Sequence, residues 1–172
     1  MTRSDDDIDH ATTKVLGDPP LVIAKFFDDI GPDPKRVLDI GCGRGKEALF
    51  IASLGHEVLA VDRSLNRIRD LNAVARQEKL NINVEIANIV SFEPAGLFDV
   101  VIIDRCLKQL SEYDRLMVLN KLIDYIRVGG WLLVAEGKDN FEHFCQILNT
   151  HESRWIIDRL KEGYLFACRL EE

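Results

Sequence analysis

The run Val37-Leu38-Asp39-Ile40-Gly41-Cys42-Gly43-Arg44-Gly45 is the first place where residue type and spacing suggest chemistry. An apolar segment carries an acid two residues ahead of a glycine-rich turn, and a helix-like segment follows. Glycines in such a turn let a ligand approach the backbone closely and meet a helix N-terminus. The spacing is GxGxG, with Lys46 standing where a dinucleotide fingerprint has its last glycine. Taken alone, the loop is equally well explained as a structural turn. Asp62 adds weight, because it follows directly on the next apolar segment. An acid at the carboxyl end of a parallel strand can accept both hydroxyls of a ribose. Its structural alternative is to cap the following helix, a task better suited to Ser64.

These residues need elements to position them. Pro19-Pro20 opens an amphipathic helix over Leu21–Phe27, stopped by Gly31-Pro32. Arg36–Ile40 reads as a strand, Lys46–Leu54 as a helix ended by Gly55, and Glu57–Val61 as a second strand. A helix over Ser64–Lys79, a strand over Asn83–Ala87 and an apolar strand over Asp99–Ile103 follow. A helix over Glu112–Ile126 then leads through a Gly129-Gly130 turn into a strand over Trp131–Ala135. Apolar strands separated by helices indicate a parallel sheet buried on both faces. The end of the chain differs: a helix over Phe141–Asn149 precedes strands over Arg154–Arg159 and Tyr164–Arg169. Those two strands are close enough to form a hairpin, so the last strand runs antiparallel.

Composition narrows the function classes. The chain has 172 residues, 47% hydrophobic and 30% charged, with a formal net charge of −7. That length suits a single domain over 14–172, preceded by a flexible acidic tail over 1–13. An acidic chain is a poor generic binder of nucleic acid, which needs a basic surface. There is no apolar run of membrane-spanning length, and Asp5, Asp6, Asp7 and Asp9 are unlike the start of a signal peptide. Cys42, Cys106, Cys145 and Cys168 are scattered and form no CxxC pair, so reduced thiols in a cytoplasmic setting are expected and a metal site is not. His10, His56, His143 and His151 have no partner in sequence and read as solvated or structural.

From Arg36 to Arg169 the chain resembles class I S-adenosylmethionine-dependent methyltransferases. The resemblance rests on the DxGxGxG loop from Asp39 to Gly45, on Asp62, on Phe98-Asp99-Val100-Val101, on Val128-Gly129-Gly130 and on the antiparallel last strand. It implies an α/β fold, a Rossmann-like three-layer αβα sandwich around a seven-stranded, mostly parallel sheet of order 3-2-1-4-5-7-6. It also implies S-adenosyl-L-methionine as cofactor and S-adenosyl-L-homocysteine as product. Carried over residue by residue, Gly41, Cys42, Gly43 and Gly45 shape the loop beneath the methionine part, and Asp39 positions its ammonium. Asp62 holds the ribose, with Arg63 and Ser64 beside the adenine. Asn88, where the family often has an acid, accepts from the adenine amino group, with Ile89 beside it. Asp104 and Arg105 follow strand four, where the family has its methyl-transfer cleft. In the family, the segment before strand one often closes as a lid, here 14–31 ahead of a core over 35–172.

Methyl transfer from a sulfonium needs no enzyme nucleophile, so alignment and electrostatics can supply much of the catalysis. No catalytic residue can be assigned; Asp104, Arg105 and Lys108 are the cleft candidates. Asp104-Arg105-Cys106-Leu107 lacks the Asn/Asp-Pro-Pro-aromatic motif of base-amine methyltransferases, and Cys106 lacks the preceding proline of RNA cytosine-carbon enzymes. Leu107-Lys108-Gln109 replaces the leucine-histidine-histidine common in small-molecule members. Glu136, Lys138 and Asp139 follow strand five as caps or acceptor contacts. The expected function is methylation of a small-molecule acceptor, similar to the tellurite-resistance and thiopurine-type branch. The alternatives are methylation of RNA or protein, and a non-catalytic cofactor-binding subunit. A homodimer stands open beside a monomer, and no membrane partner is expected.

Overall fold

The computed structural model describes residues 19–136 and 140–171. The acidic tail 1–13, the start of the 14–31 segment, Lys138 and Asp139 lie outside the described residues. Strand order is β3-β2-β1-β4-β5-β7-β6 in one seven-stranded sheet, as the family resemblance implies. The chain divides into two units, one ending at Ile86 and the other beginning at Ala87.

In the first unit, α1 (Leu21–Asp29) buries Ile23, Phe26 and Phe27 and packs on α2 (Lys46–Ser53). The Phe27 ring lies 5.4 Å from that of His56, whose Nδ1 accepts from the Lys35 amide at 3.0 Å. Strands β1 (Arg36–Ile40), β2 (Glu57–Asp62) and β3 (Ile82–Ile86) pair in parallel, with Asp39 opposite Ala60 and Val61 opposite Glu85. Val37, Leu38, Ile40, Val58, Ala60 and Val61 are fully buried, as central parallel strands require. Helix α3 (Leu65–Gln77) turns Ile68, Leu71 and Ala75 inward at helical spacing. Ser64 caps it, accepting from the Arg67 amide.

In the second unit, β4 (Phe98–Asp104) is buried from Val100 to Ile103 and pairs in parallel with β5 (Ile126–Ala135). A 3-10 turn (Leu107–Gln109) and α4 (Glu112–Ile123) connect them, with Ser111 capping α4 through the Asp114 amide at 3.1 Å. Helix α5 (Phe141–Thr150) packs on α4 and on β6 (Trp155–Lys161). Strand β7 (Tyr164–Arg169) runs antiparallel to both β5 and β6, as the hairpin reading anticipates. Lys161 pairs with Tyr164, leaving a two-residue turn in which Glu162 (φ 55) and Gly163 (φ 82) both have positive φ. That is the turn geometry whose twist matches the flanking strands.

Several expected boundaries are displaced. The helix expected to reach Ile126 ends at Ile123, and Gly129-Gly130 lies inside β5 rather than in a turn before it. Ile126 pairs with Phe98, and the register then shifts so that Val100 faces Trp131. A Cβ on Gly130 would come 2.9 Å from the Asp99 carbonyl, so this irregular pairing takes glycine for steric reasons. The sixth strand is also displaced, starting at Trp155 and reaching Lys161.

Candidate functional site

In the first unit the glycine loop is built at the carboxyl ends of β1 and β2. The amides of Gly41 and Cys42 both donate to Val61 O, at 2.8 and 3.0 Å, and Gly45 N closes the turn on Cys42 O at 2.8 Å. Gly45, at φ 82, caps α2, and a Cβ there would lie 2.3 Å from Leu71 Cδ1. Both the left-handed backbone and the pressed leucine demand glycine. At Gly43 (φ 57) a Cβ would meet nothing within 4 Å, so the loop is open on that side.

Asp62 fastens this loop. Its Oδ2 accepts from Gly43 N at 3.0 Å and its Oδ1 from Ser64 N at 2.8 Å, while Arg67 stands 3.9 Å away. The residue is 6% exposed. A carboxylate has about four lone-pair sites, so acceptor capacity remains for a ligand's hydroxyls. Asp39 is buried at 1% exposure on β1. The Cys42 thiol is pushed far up from its ordinary value by burial, then by the charges of Asp39, Asp62 and Glu47. It is inert there, and the main chain of residue 42 is the part that shapes the loop. Thus Asp39, Gly41, Cys42, Gly43, Gly45, Asp62 and Ser64 share one end of the first unit's strands, with Arg63 exposed beside them.

The remaining expected residues belong to the second unit. Asn88 opens a turn in which its Oδ1 accepts from Val90 N at 3.1 Å and its carbonyl from Phe92 N at 2.9 Å. The amide oxygen assigned to adenine therefore already serves one main-chain donor. Asp104 and Arg105 form a two-point ion pair at the end of β4, at 2.9 and 3.1 Å. Arg105 has φ 50, unfavourable for a residue with a side chain, and its amide donates to Ala135 O at 2.7 Å. Lys108 is exposed on the 3-10 turn.

Glu136, expected as a cap or an acceptor contact, caps main chain whose identity local sequence could not reveal. Only 4% exposed, it accepts from Leu107 N at 2.8 Å through Oε1 and holds the turn that carries Lys108. Among the described residues its buried Oε2 has no hydrogen-bond partner. Burial raises its pKa most, and nearby Asp104 adds to this; the amides of Leu107 and Lys108 and the Lys108 charge pull it down. Arg115 on α4 is a second such tie, donating to Asn140 Oδ1 and to Leu110 O. The tail residues Asp124, His151, Ser153 and Arg169 meet as well. There His151 Nδ1 takes the Ser153 amide, and Arg169 donates to Ser153 Oγ at 2.8 Å and to Ile126 O at 2.6 Å. With its hydroxyl oxygen engaged by a guanidinium, that serine is a brace and not a nucleophile. Among the described residues no cluster of His, Cys, Asp and Glu could hold a metal ion, and no helix is long and apolar enough to cross a membrane.

Strand order, the glycine loop and the acid at the end of β2 define the class I methyltransferase fold. The chain belongs to the family described as tellurite resistance protein TehB, which it matches over residues 30–158. It is 28% identical over 155 residues to the probable S-adenosyl-L-methionine-dependent methyltransferase TehB of Haemophilus influenzae, covering 90% of this chain and 51% of that protein. The chain therefore spans about half the length of this relative. A TehB-like S-adenosylmethionine-dependent methyltransferase from Corynebacterium glutamicum superposes with a TM-score of 0.72 at 16% identity, covering 98% of both chains. The N-methyltransferase NodS from Bradyrhizobium japonicum, solved with S-adenosyl-L-homocysteine, gives 0.66 at 18% identity over 88% of this chain and 85% of its own. At these identities the structural likeness establishes the fold.

Proposed function

We propose that the chain is an S-adenosylmethionine-dependent methyltransferase acting on a small-molecule acceptor. The observation that carries this reading is the joint fastening of the glycine loop and Asp62. The Gly43 amide is tied to the carboxylate, the loop is open above Gly43, and the acid retains acceptor capacity. These features fit an S-adenosyl ligand, since a main chain without side chains can lie under the methionine part and a fixed acid can take the ribose hydroxyls. Asp39 is proposed for the ammonium, Arg63 and Ser64 for the surroundings of the adenine, and Asn88 and Ile89 for its edge.

When bound, the cofactor supplies an electrophilic methyl group on a sulfonium. The chain's own residues then bind, orient and exclude water, which is where much of such catalysis resides. Asp104, Arg105 and Lys108 are proposed to face the acceptor. The Asp104–Arg105 pair sets a locally neutral surface, leaving Lys108 as the exposed cation on that turn. The net charge of −7 favours a small acceptor over nucleic acid.

Methyl-labelled cofactor mixed with separate pools of metabolites, RNA and protein tests the proposal. Label entering the metabolite pool is the expected outcome. Label in RNA or protein alone would overturn the acceptor class, and no binding of cofactor at millimolar concentration would overturn the whole reading.

A further inference from the structure

The turn after β3 is gripped from outside by the Lys121 side chain. Within the turn, Ser91 N and Phe92 N donate to Asn88 O at 3.1 and 2.9 Å, and Val90 N donates to Asn88 Oδ1. Lys121, on α4, sends its Nζ to Val90 O at 3.0 Å and to Phe92 O at 2.6 Å, with Glu93 Oε1 at 3.5 Å. Two carbonyls and a carboxylate match the three N–H directions of an ammonium. The side chain is 22% exposed, so these bonds are partly shielded from water. One turn further along, Tyr125 Oη donates to Glu93 Oε2 at 2.9 Å and secures the far side.

A lysine paired only with a surface glutamate would contribute little. Here the ammonium grips main chain, at the residue whose amide Asn88 holds. Val90 is thus fixed at both ends, its N–H by Asn88 and its C=O by Lys121. The shape of the turn, and with it the presentation of Asn88 and Ile89, depends on a residue 29 to 31 positions away. Phe92, which ends the turn and carries the other gripped carbonyl, is buried.

We propose that Lys121 is a positioning residue for the adenine end of the cofactor, acting through the Asn88–Phe92 turn. The inference rests on the reading that the chain binds S-adenosyl compounds. Titration calorimetry on the full chain tests it, with S-adenosylhomocysteine and adenosine as probes, for wild type, Lys121→Met and Lys121→Arg. Thermal melts without ligand run in parallel. A turn that must be ordered on binding loses affinity, so Lys121→Met should weaken both probes by a common factor of about tenfold. Lys121→Arg, which keeps charge-assisted donors to carbonyls, should restore most of that loss. A Lys121→Met protein that melts lower yet binds S-adenosylhomocysteine as wild type does would overturn the inference. So would weaker S-adenosylhomocysteine binding with adenosine unchanged. Wild type failing to bind S-adenosylhomocysteine would instead strike the cofactor reading itself, so the two failures are distinct.

Discussion

Asp62→Ala probes the central geometry, because this one carboxylate serves both the fold and the proposed ligand. It accepts two main-chain amides, from Gly43 at 3.0 Å and Ser64 at 2.8 Å, at 6% exposure. Hydrogen bonds to a charged group contribute about 1.5–3 kcal/mol each, so losing both sets an upper bound of about 3–6 kcal/mol. Water entering beside the truncated side chain recovers part of this, and about 2–4 kcal/mol is the expected loss. Arg67, 3.9 Å away and more than half exposed, adds little. Asp62→Asn keeps one oxygen and turns an NH2 group toward the other amide, so its loss should be about half as large. Urea unfolding followed by circular dichroism reads the stability, and calorimetry with S-adenosylhomocysteine reads the affinity of the protein that remains folded. Both should fall for Asp62→Ala. An unfolding free energy within about 0.5 kcal/mol of wild type, the range of an uninvolved surface change, would refute the role assigned to the two amides. The same substitution would then be a ligand-contact change alone, which is how the isolated sequence reads.

Two further substitutions separate space from strain. Gly45→Ala adds a Cβ 2.3 Å from Leu71 Cδ1 at φ 82 and should destabilise by about 2–5 kcal/mol, from left-handed strain plus overpacking. Gly43→Ala, at φ 57 with open space, should cost only about 1–2 kcal/mol in unfolding and show its main effect as weaker S-adenosylhomocysteine binding. Glu136→Gln tests the buried carboxyl by pH. A folded pKa raised above the ordinary 4.5 stabilises below that value and loses its contribution as pH rises through the folded value. Stability of Glu136→Gln relative to wild type should therefore improve from pH 4 to pH 7, and a flat difference across that range would contradict the burial effect.

The sequence made the alternation of strands and helices readable because apolar runs and glycine stops are local signals. Arg36–Ile40, Glu57–Val61 and Asp99–Ile103 needed no tertiary information to be recognised as strands. The glycine loop and Asp62 were legible for the same reason, since spacing along the chain reports their shared end of the strands. Gly129-Gly130 misled because a glycine pair signals a turn as readily as an irregular strand, and only the shifted pairing of Phe98 with Ile126 and Val100 with Trp131 decides between them. Arg115 and Lys121 were illegible as fastenings, and Glu136 was legible as a cap but not by its partner, for another reason. Each bonds main chain or side chain that is distant in sequence, by 29 residues for Glu136 and Leu107, and no periodicity marks such a bond in advance. Ser64 stands between the two cases, with a capping role that was visible and an amide bond to Asp62 that came from the fold.

The hairpin of β6 and β7 has a bearing on the order of folding. Its two-residue turn at Glu162-Gly163 already has the twist that its strands require, so their pairing closes a minimal loop. Isolated hairpins form in about 1–10 μs, well ahead of pairings that close long segments of chain. Strand β7 must also join β5, whose partner positions, such as Trp131 for Cys168, lie much farther away along the chain. The β6–β7 pairing is therefore the more local of the two that β7 makes. The antiparallel end of the sheet thus carries a short loop closure, the condition that favours fast pairing over the distant contacts of parallel strands.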